Sequence, residues 1–218
     1  MNDRDIHIVI ATLRDAARAW TLPYVTDLAQ RARDPFRVLI STMLSLHTKD
    51  ATTAEASKKL FALAATPRAM LKLKHNEIEH AIYPVGFYRA KARNILLTCQ
   101  ELIRQYNGNV PDDLNALIAL PGVGRKTANL VITQGFGKPG ICVDTHVHRI
   151  TNRWGYVKTN MPEQTEIVLR AKLPGEYWIA INDLLVALGQ NICHPTSPKC
   201  SLCPVHAHCA RIGVTRSR

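Results

Sequence analysis

Apolar residues recur along most of this chain at intervals of three and four, the spacing of one face of an α-helix. The first such run consists of Ile6, Val9, Ile10, Leu13 and Ala17. Further helices are predicted over Phe36–Leu44, Asp50–Leu63, Arg89–Tyr106, Asp112–Ala119, Gly124–Gln134, Thr145–Trp154, Pro162–Ala171 and Pro174–Leu188. No segment alternates with the period of two that is typical of a strand. The pattern therefore predicts an all-α protein.

Short turns that contain Pro or Gly separate these helices, and Gly135 to Gly140 is the best place for a boundary between lobes. At 218 residues the chain can form one large domain or two lobes. No apolar run approaches the ~18 residues that span a bilayer. Residues Met1 to Asp5 lack the basic start and apolar stretch of a secretory signal. We therefore expect a cytoplasmic protein without a membrane segment.

The chain is strongly basic, with 28 Lys and Arg against 17 Asp and Glu and a formal net charge of +11. This balance favours a polyanionic partner, and nucleic acid is the first candidate. Charge alone leaves a basic surface kept for solubility as the alternative. The motifs have to decide between the two.

Four of the six cysteines lie close together near the C-terminus, at Cys193, Cys200, Cys203 and Cys209. In a reducing compartment such a group indicates a metal centre rather than disulfides. The spacing alone leaves zinc and an iron–sulfur cluster open. Cys99 and Cys142 lie in apolar runs and are predicted to be buried thiols.

The segment from Leu114 to Ala128 reads as a helix, a tight Pro-Gly-Val-Gly turn and a second helix. Without Cβ atoms, Gly122 and Gly124 let backbone N–H groups approach a phosphate at the start of the second helix, beside Arg125. Such contacts ignore base sequence. The alternative is an ordinary helical turn, but the basic chain favours binding to the DNA backbone.

This turn, followed by the Val143-Asp144-Thr145-His146-Val147-His148-Arg149 motif, resembles the helix-hairpin-helix DNA glycosylases, in particular the endonuclease III branch. The resemblance implies a six-helix domain over 28–138, with its hairpin at about 114–134. Residues 1–27 and 139–218 are then an iron–sulfur domain, whose loop 193–209 holds a 4Fe-4S cluster. It also implies an active-site cleft between the two lobes.

The resemblance further identifies Lys126 and Asp144 as the catalytic pair. Breaking a glycosidic bond develops positive charge on the sugar, so a carboxylate beside C1′ and a nucleophile that attacks there suit the reaction. On residue type alone, Lys126 is an alternative phosphate contact and Asp144 an alternative helix N-cap. Relatives that only hydrolyse the base typically carry Ser or Tyr at the position of Lys126. Thr145, next to Asp144, is an expected DNA contact.

Two loops match those that open the duplex in this family. His47 stands where many relatives have Gln, and Phe87 stands where the wedge is commonly Leu or Ile. We expect both to contact DNA, with Phe87 exposed after its Pro-Val-Gly turn. Because His47 departs from the family pattern, the preferred lesion or opposite base could differ. Asp50 is predicted to cap the helix that follows it.

The resemblance thus implies a bifunctional DNA glycosylase and AP lyase of base excision repair that removes oxidised pyrimidines through a Lys Schiff base. The alternatives are a monofunctional thymine, uracil or adenine mismatch glycosylase and a non-catalytic lesion binder. The expected partner is double-stranded DNA with a damaged base or abasic site. We expect a monomer, associated with the nucleoid in a bacterium or archaeon.

Overall fold

The computed structural model describes residues 1–218 and contains twelve α-helices and no β-strand, which confirms the all-α prediction. The helices are α1 (Asp5–Ala17), α2 (Tyr24–Arg31), α3 (Pro35–Ser45), α4 (Asp50–Leu63), α5 (Pro67–Met70), α6 (His75–Ile82), α7 (Tyr88–Tyr106), α8 (Leu114–Ile118), α9 (Arg125–Leu130), α10 (Thr145–Arg153), α11 (Pro162–Lys172) and α12 (Ala180–Asn191). No helix is both long and apolar enough to cross a membrane.

The helices form two compact units. Unit 1 consists of Met1–Pro23 and Pro139–Arg218, and unit 2 consists of Tyr24–Lys138. The first division falls at Pro23 rather than at residue 27, because α2 packs against α3 and α4 within unit 2.

Unit 2 is organised around α3, which contacts α2, α4, α7 and α9. Eight of the eleven residues of α3 are buried, so this helix has almost no solvent face. Asp34 begins α3 by accepting hydrogen bonds from the amides of Phe36 and Arg37, and Pro35 occupies the first turn, where it costs no hydrogen bond.

Unit 1 is organised around α12, which packs against α1 and α10. Eight of its twelve residues are buried. From α1 the four apolar residues of one face, Ile6, Val9, Ile10 and Leu13, enter the same core with no solvent exposure. The period of three and four in the first helix therefore marks the face that packs within unit 1.

Two predicted helices have different geometry in the structure. The helix predicted over Pro174–Leu188 is wrong in its first part, because Tyr177 and Trp178 donate to carbonyls three residues back and form a short 3-10 helix at Gly175–Tyr177. The segment that follows α9 widens into a π-helix at Val131–Gly135. Thr133 Oγ1 lies within hydrogen-bonding distance of the Asn129 and Leu130 carbonyls. These two carbonyls thus have a hydroxyl donor where the α-helix changes into the π-helix.

Candidate active site

The glycine turn between α8 and α9 is held rigidly by α7. Thr98 Oγ1 of α7 donates to the Pro121 carbonyl at 2.7 Å. Gly122 has φ +74°, and a Cβ there would lie 2.7 Å from Asn94 Nδ2 of the same helix. Both its backbone conformation and its neighbour thus require glycine at position 122.

Gly124 differs from Gly122 because nothing in the protein requires it to be glycine. Its φ is −89°, an ordinary value for any residue, and a Cβ there would meet no atom within 4 Å. The residue is exposed at the first turn of α9. The space that a side chain would fill is therefore open to a partner molecule.

Lys126 is the second residue of α9 and is half-buried, whereas its neighbour Arg125 is exposed. Thr127 and Ala128 follow as buried residues and fix this turn in the core of unit 2. The amine is thereby placed at the N-terminal end of a helix that the glycine turn introduces.

Asp144 is the N-cap of α10 in unit 1. Its Oδ1 accepts hydrogen bonds from the amides of His146 at 2.8 Å and Val147 at 2.9 Å. Capping thus uses one carboxylate oxygen and leaves Oδ2 outside these bonds. The helix N-terminus also stabilises the negative charge of the carboxylate.

Two arginines of α10 hold the segment that begins the cysteine cluster. Arg149 Nη2 donates to the Cys193 carbonyl at 2.8 Å and lies 3.2 Å from His146 Nδ1. Arg153 donates to Cys193 Sγ at 3.3 Å and to the His194 carbonyl at 2.7 Å. Burial lowers the pKa of Arg149, and the nearby Cys193 and Asp144 oppose that effect. One helix therefore carries both the capping aspartate and the contacts to the cluster loop.

The four clustered cysteines, Cys193, Cys200, Cys203 and Cys209, line one cavity, and none forms a disulfide. The Arg211 amide lies 3.4 Å from Cys209 Sγ and donates to it. Such N–H donors, like Arg153 at Cys193, favour electron-rich thiolate sulfur. Burial raises the pKa of the Cys203 thiol to about 11 and also raises that of Cys209. A metal that binds at Cys203 and Cys209 therefore has to displace their protons, because metals bind thiolate sulfur.

The lining of this cavity does not by itself identify the metal. In a zinc site all four sulfurs lie about 2.3 Å from one point. No group of three or more His, Cys, Asp or Glu side chains in the chain converges closely enough to hold one metal ion. Four thiolates are the ligand set of a structural zinc ion and of an iron–sulfur cluster alike, so the cysteines alone leave both open.

His47 and Phe87 lie in separate loops of unit 2 that meet. Their ring centroids are 5.7 Å apart and the rings are nearly perpendicular, at 76°. Phe87 is 71 % exposed, as predicted, and His47 is exposed too. Both residues have positive φ, 54° and 57°, a conformation that side chains rarely adopt. Such strain persists only where the surroundings enforce it.

The enforcing contacts come from Lys91 and Gly86. Lys91, 8 % exposed, donates from Nζ to the carbonyls of Leu44 and Leu46 and to Thr48 Oγ1. Thr48 Oγ1 in turn accepts from the Gly86 amide at 3.1 Å. Burial lowers the pKa of Lys91 to about 8.

The prediction that Asp50 caps α4 is wrong. Asp50 is the first residue of that helix, and its carboxylate instead accepts from the Tyr24 amide at 2.9 and 3.1 Å, which caps α2. Burial raises the pKa of Asp50, and the Tyr24 amide lowers it. The two residues are 26 positions apart, so local sequence does not reveal the pairing.

The predicted residues divide by exposure. Every residue predicted to contact DNA is exposed, namely His47, Phe87, Gly122, Gly124, Arg125 and Thr145. Lys126 and Asp144 are both half-buried, the first in unit 2 and the second in unit 1. Cys99 and Cys142 are buried, as expected.

Sequence reasoning missed Lys91, Arg149 and Arg153. For Lys91 and Arg153 a signal was present: each charged residue stands on the apolar face of its helix, Lys91 four positions before Ile95 and Arg153 three positions after Ile150. A cation on a core face indicates a buried charge that needs acceptors. The pattern did not show which carbonyls those acceptors are.

The chain is similar in sequence and in fold to known proteins. The profile of the HhH-GPD superfamily of base excision DNA repair proteins matches residues 40–174. Endonuclease III of Thermotoga maritima is 50 % identical over 176 residues, which are 81 % of this chain and 83 % of that protein.

Among solved structures, a trapped covalent intermediate of endonuclease III with DNA, an estranged-adenine complex, superposes with a TM-score of 0.86. It is 34 % identical and covers 97 % of each chain. A thermostable thymine-DNA glycosylase superposes with a TM-score of 0.84 at 25 % identity, over 95 % of this chain and 96 % of that one.

Proposed function

The chain belongs to the endonuclease III family of the HhH-GPD superfamily, and from this membership and the site geometry we infer what its individual residues do. It is a bifunctional DNA glycosylase and AP lyase for oxidised pyrimidines. A thymine-DNA glycosylase has the same fold, so the fold alone does not assign the roles of individual residues.

We propose that Lys126 is the nucleophile, and its place in the second position of α9 carries this proposal. The neutral amine forms a bond to C1′ while the bond from C1′ to the base breaks, and the base leaves with the electron pair and takes up a proton. The nitrogen then loses a proton, the C1′–O4′ bond breaks while O4′ takes up a proton, and a protonated Schiff base remains. Removal of a C2′ proton by water then expels the 3′ phosphate and nicks the strand.

Asp144 is the proposed electrostatic partner. Positive charge develops on the sugar as the base departs, and an ionised carboxylate stabilises it. The capping bonds at Oδ1 fix the orientation of this carboxylate and leave Oδ2 for the sugar.

The proposed DNA contacts lie in the hairpin and in the two loops that carry His47 and Phe87. Gly124 supports the hairpin contact, because the space beside it is open and a Cβ there would meet no protein atom within 4 Å. A phosphate at the start of α9, beside Arg125, takes that space. His47 and Phe87 are proposed to fill the stack when the damaged nucleotide is extruded.

The cysteine cavity is proposed to hold a 4Fe-4S cluster through Cys193, Cys200, Cys203 and Cys209. When bound, the cluster joins four points of the loop and keeps no open coordination position for substrate. Purified protein is expected to contain four irons and four sulfides, and a stoichiometric zinc content without iron in anaerobically prepared protein would contradict the assignment.

Borohydride trapping on abasic-site DNA tests the nucleophile. Wild type should form a covalent adduct, and neither Lys126→Gln nor Lys126→Arg should form one. The Arg variant is the matched control: it keeps the positive charge, but its guanidinium does not deprotonate, so it can bind phosphate without attacking. We expect both variants to retain DNA affinity within about threefold. A salt dependence of Lys126→Gln that is lower by about one phosphate contact would identify Lys126 as a contact to the DNA backbone instead.

The same assay distinguishes the rivals. An adduct in Lys126→Gln contradicts the role of Lys126. Base release by wild type without an adduct identifies a monofunctional glycosylase, and binding without either reaction identifies a lesion binder. The proposed partner is damaged or abasic duplex DNA, bound by a monomer at the genome, which lies in the nucleoid of a bacterium or archaeon.

A further inference from the structure

Lys91 is a buried cation without a carboxylate partner. Its ammonium is held by the Leu44 carbonyl in the last turn of α3 and by the Leu46 carbonyl and the Thr48 hydroxyl of the loop that carries His47. A charge in such a place is costly unless every proton is used. The three acceptors match the three donors of an ammonium group. The buried ammonium group of Lys91 therefore stabilises the conformation of this short loop.

Lys91 also belongs to the first turn of the helix that Phe87 begins. Phe87 is the N-cap of α7, and the Lys91 amide donates to the Phe87 carbonyl at 3.0 Å. The backbone of Lys91 is thus tied to Phe87, and its side chain is tied to the His47 loop.

Thr48 and Gly86 complete the connection between the two loops. Thr48 Oγ1 receives both Lys91 Nζ, at 3.2 Å, and the Gly86 amide, at 3.1 Å. A Cβ on Gly86 would lie 2.5 Å from the His47 carbonyl, so the two backbones touch at this point. The backbones that carry the two rings are therefore linked directly at this point.

We propose that Lys91 is a positioning residue that fixes His47 and Phe87 as one rigid two-ring wedge, so that opening of the duplex depends on a lysine that never touches DNA. This inference rests on the proposed role of the two loops. Its burial excludes a phosphate contact, which is the usual role of a lysine in a DNA-binding protein.

The physical benefit is pre-organisation. If the two loops were mobile, they would lose conformational entropy each time the wedge enters the stack. Loops that are already fixed at positive φ have lost this entropy during folding. Loss of Lys91 should therefore slow reactions that require extrusion from a duplex and spare a reaction that does not.

Two substrates and two variants separate these cases. The substrates are a duplex with an oxidised pyrimidine and a single strand with an abasic site, which needs the amine but no duplex opening. Lys91→Met removes the donors and keeps the chain length. Arg93→Met is the control, because Arg93 is an exposed cation two residues further along α7 and its loss changes the net charge equally.

In single-turnover assays we expect Lys91→Met to cleave the duplex about tenfold or more slowly and the single strand within about twofold of wild type. Arg93→Met should change both rates by the same small factor. Equal losses of Lys91→Met on both substrates, or an unchanged duplex rate, would overturn the inference. If the wild type cleaves neither substrate, the proposed function itself fails. If the inference alone fails, the wild type still cleaves both.

A second pair of variants keeps the test decisive if Lys91→Met does not fold. Thr48→Val removes the shared hydroxyl with little change of volume, and Thr48→Ser retains it. We expect the Val variant to lose duplex cleavage selectively and the Ser variant to restore it to within about threefold of wild type. Indistinguishable Val and Ser variants would count against the connection between the loops.

Discussion

Arg149 joins the two functional parts of unit 1: its Nη2 donates to the Cys193 carbonyl at 2.8 Å, five positions after the capping Asp144 in the same helix. Removal of this guanidinium should therefore affect the carboxylate and the cluster loop together. We expect Arg149→Leu to lower the cleavage rate per cluster-loaded molecule by about tenfold or more, since a charged hydrogen bond contributes about 1.5–3 kcal/mol.

The control for this prediction is Arg153→Leu. Arg153 contacts Cys193 Sγ and the carbonyls of His194 and Pro195, at the opposite end of α10 from Asp144. Its loss should lower the iron content and leave the rate per loaded molecule nearly unchanged. Equal rates per loaded molecule in both variants would show that Arg149 acts on the cluster alone.

Substitutions at Asp144 should separate its capping from its charge. Asn caps a helix about as well as Asp, so Asp144→Asn should keep the free energy of unfolding within about 0.5 kcal/mol of wild type. It should nevertheless lower the cleavage rate by about a hundredfold or more, because the negative charge is gone. Asp144→Ala should lose the rate and about 1 kcal/mol of stability. Chemical denaturation and single-turnover cleavage measure the two effects, and an active Asn variant would refute the electrostatic role.

The two hairpin glycines should respond differently to a single methyl group. Gly122→Ala forces a side chain into positive φ and against Asn94, so it should destabilise the protein by about 1–3 kcal/mol. Gly124→Ala meets open space, but Gly124 is the N-cap of α9 and Ala is a poor cap, so the protein should lose only about 0.5–1 kcal/mol. Because the methyl group occupies the proposed phosphate position, this variant should still lose DNA affinity by about tenfold. Stable, fully binding Gly124→Ala would place the DNA backbone elsewhere.

Cys99 should be chemically silent in the folded protein. Burial raises the pKa of its thiol to about 12, and its side chain has no exposed surface. At pH 8 the thiolate fraction is then about 10⁻⁴, and it increases about tenfold for each pH unit below that pKa. Alkylation followed by peptide mass spectrometry should find Cys99 unmodified in the native protein and modified in denaturant. Rapid native labelling at pH 8 would show that α7 opens locally.

The sequence predicts this fold well where a helix has an amphipathic pattern and clear ends. The long helix α7 ends at Tyr106, and its C-cap Asn107 has φ +53°, as the Asn-Gly pair predicted. The short helices α2, α5 and α6 were not predicted, because four to eight residues provide too few periods for the pattern to stand out. Their stability comes from packing and from a distant cap such as Asp50, which local sequence does not encode.

The candidate site shows the same division. Lys126, Asp144 and the four cysteines were identified because their neighbours form recognisable motifs. The contacts that hold them were not, because Lys91 reaches carbonyls 45 and 47 positions away and Arg149 reaches one 44 positions away. Only the folded chain brings these groups together.

The packing of α1 on α12 also has a consequence for how the protein is made. The apolar face of α1 leaves the ribosome long before residues 180–191 exist, and at about 5–20 residues per second the interval lasts roughly 10–30 seconds. Unit 2 is contiguous and can fold during that interval. Unit 1 has to wait for its last segment, so a nascent chain carries an unpaired hydrophobic helix that a chaperone can bind until synthesis is nearly complete.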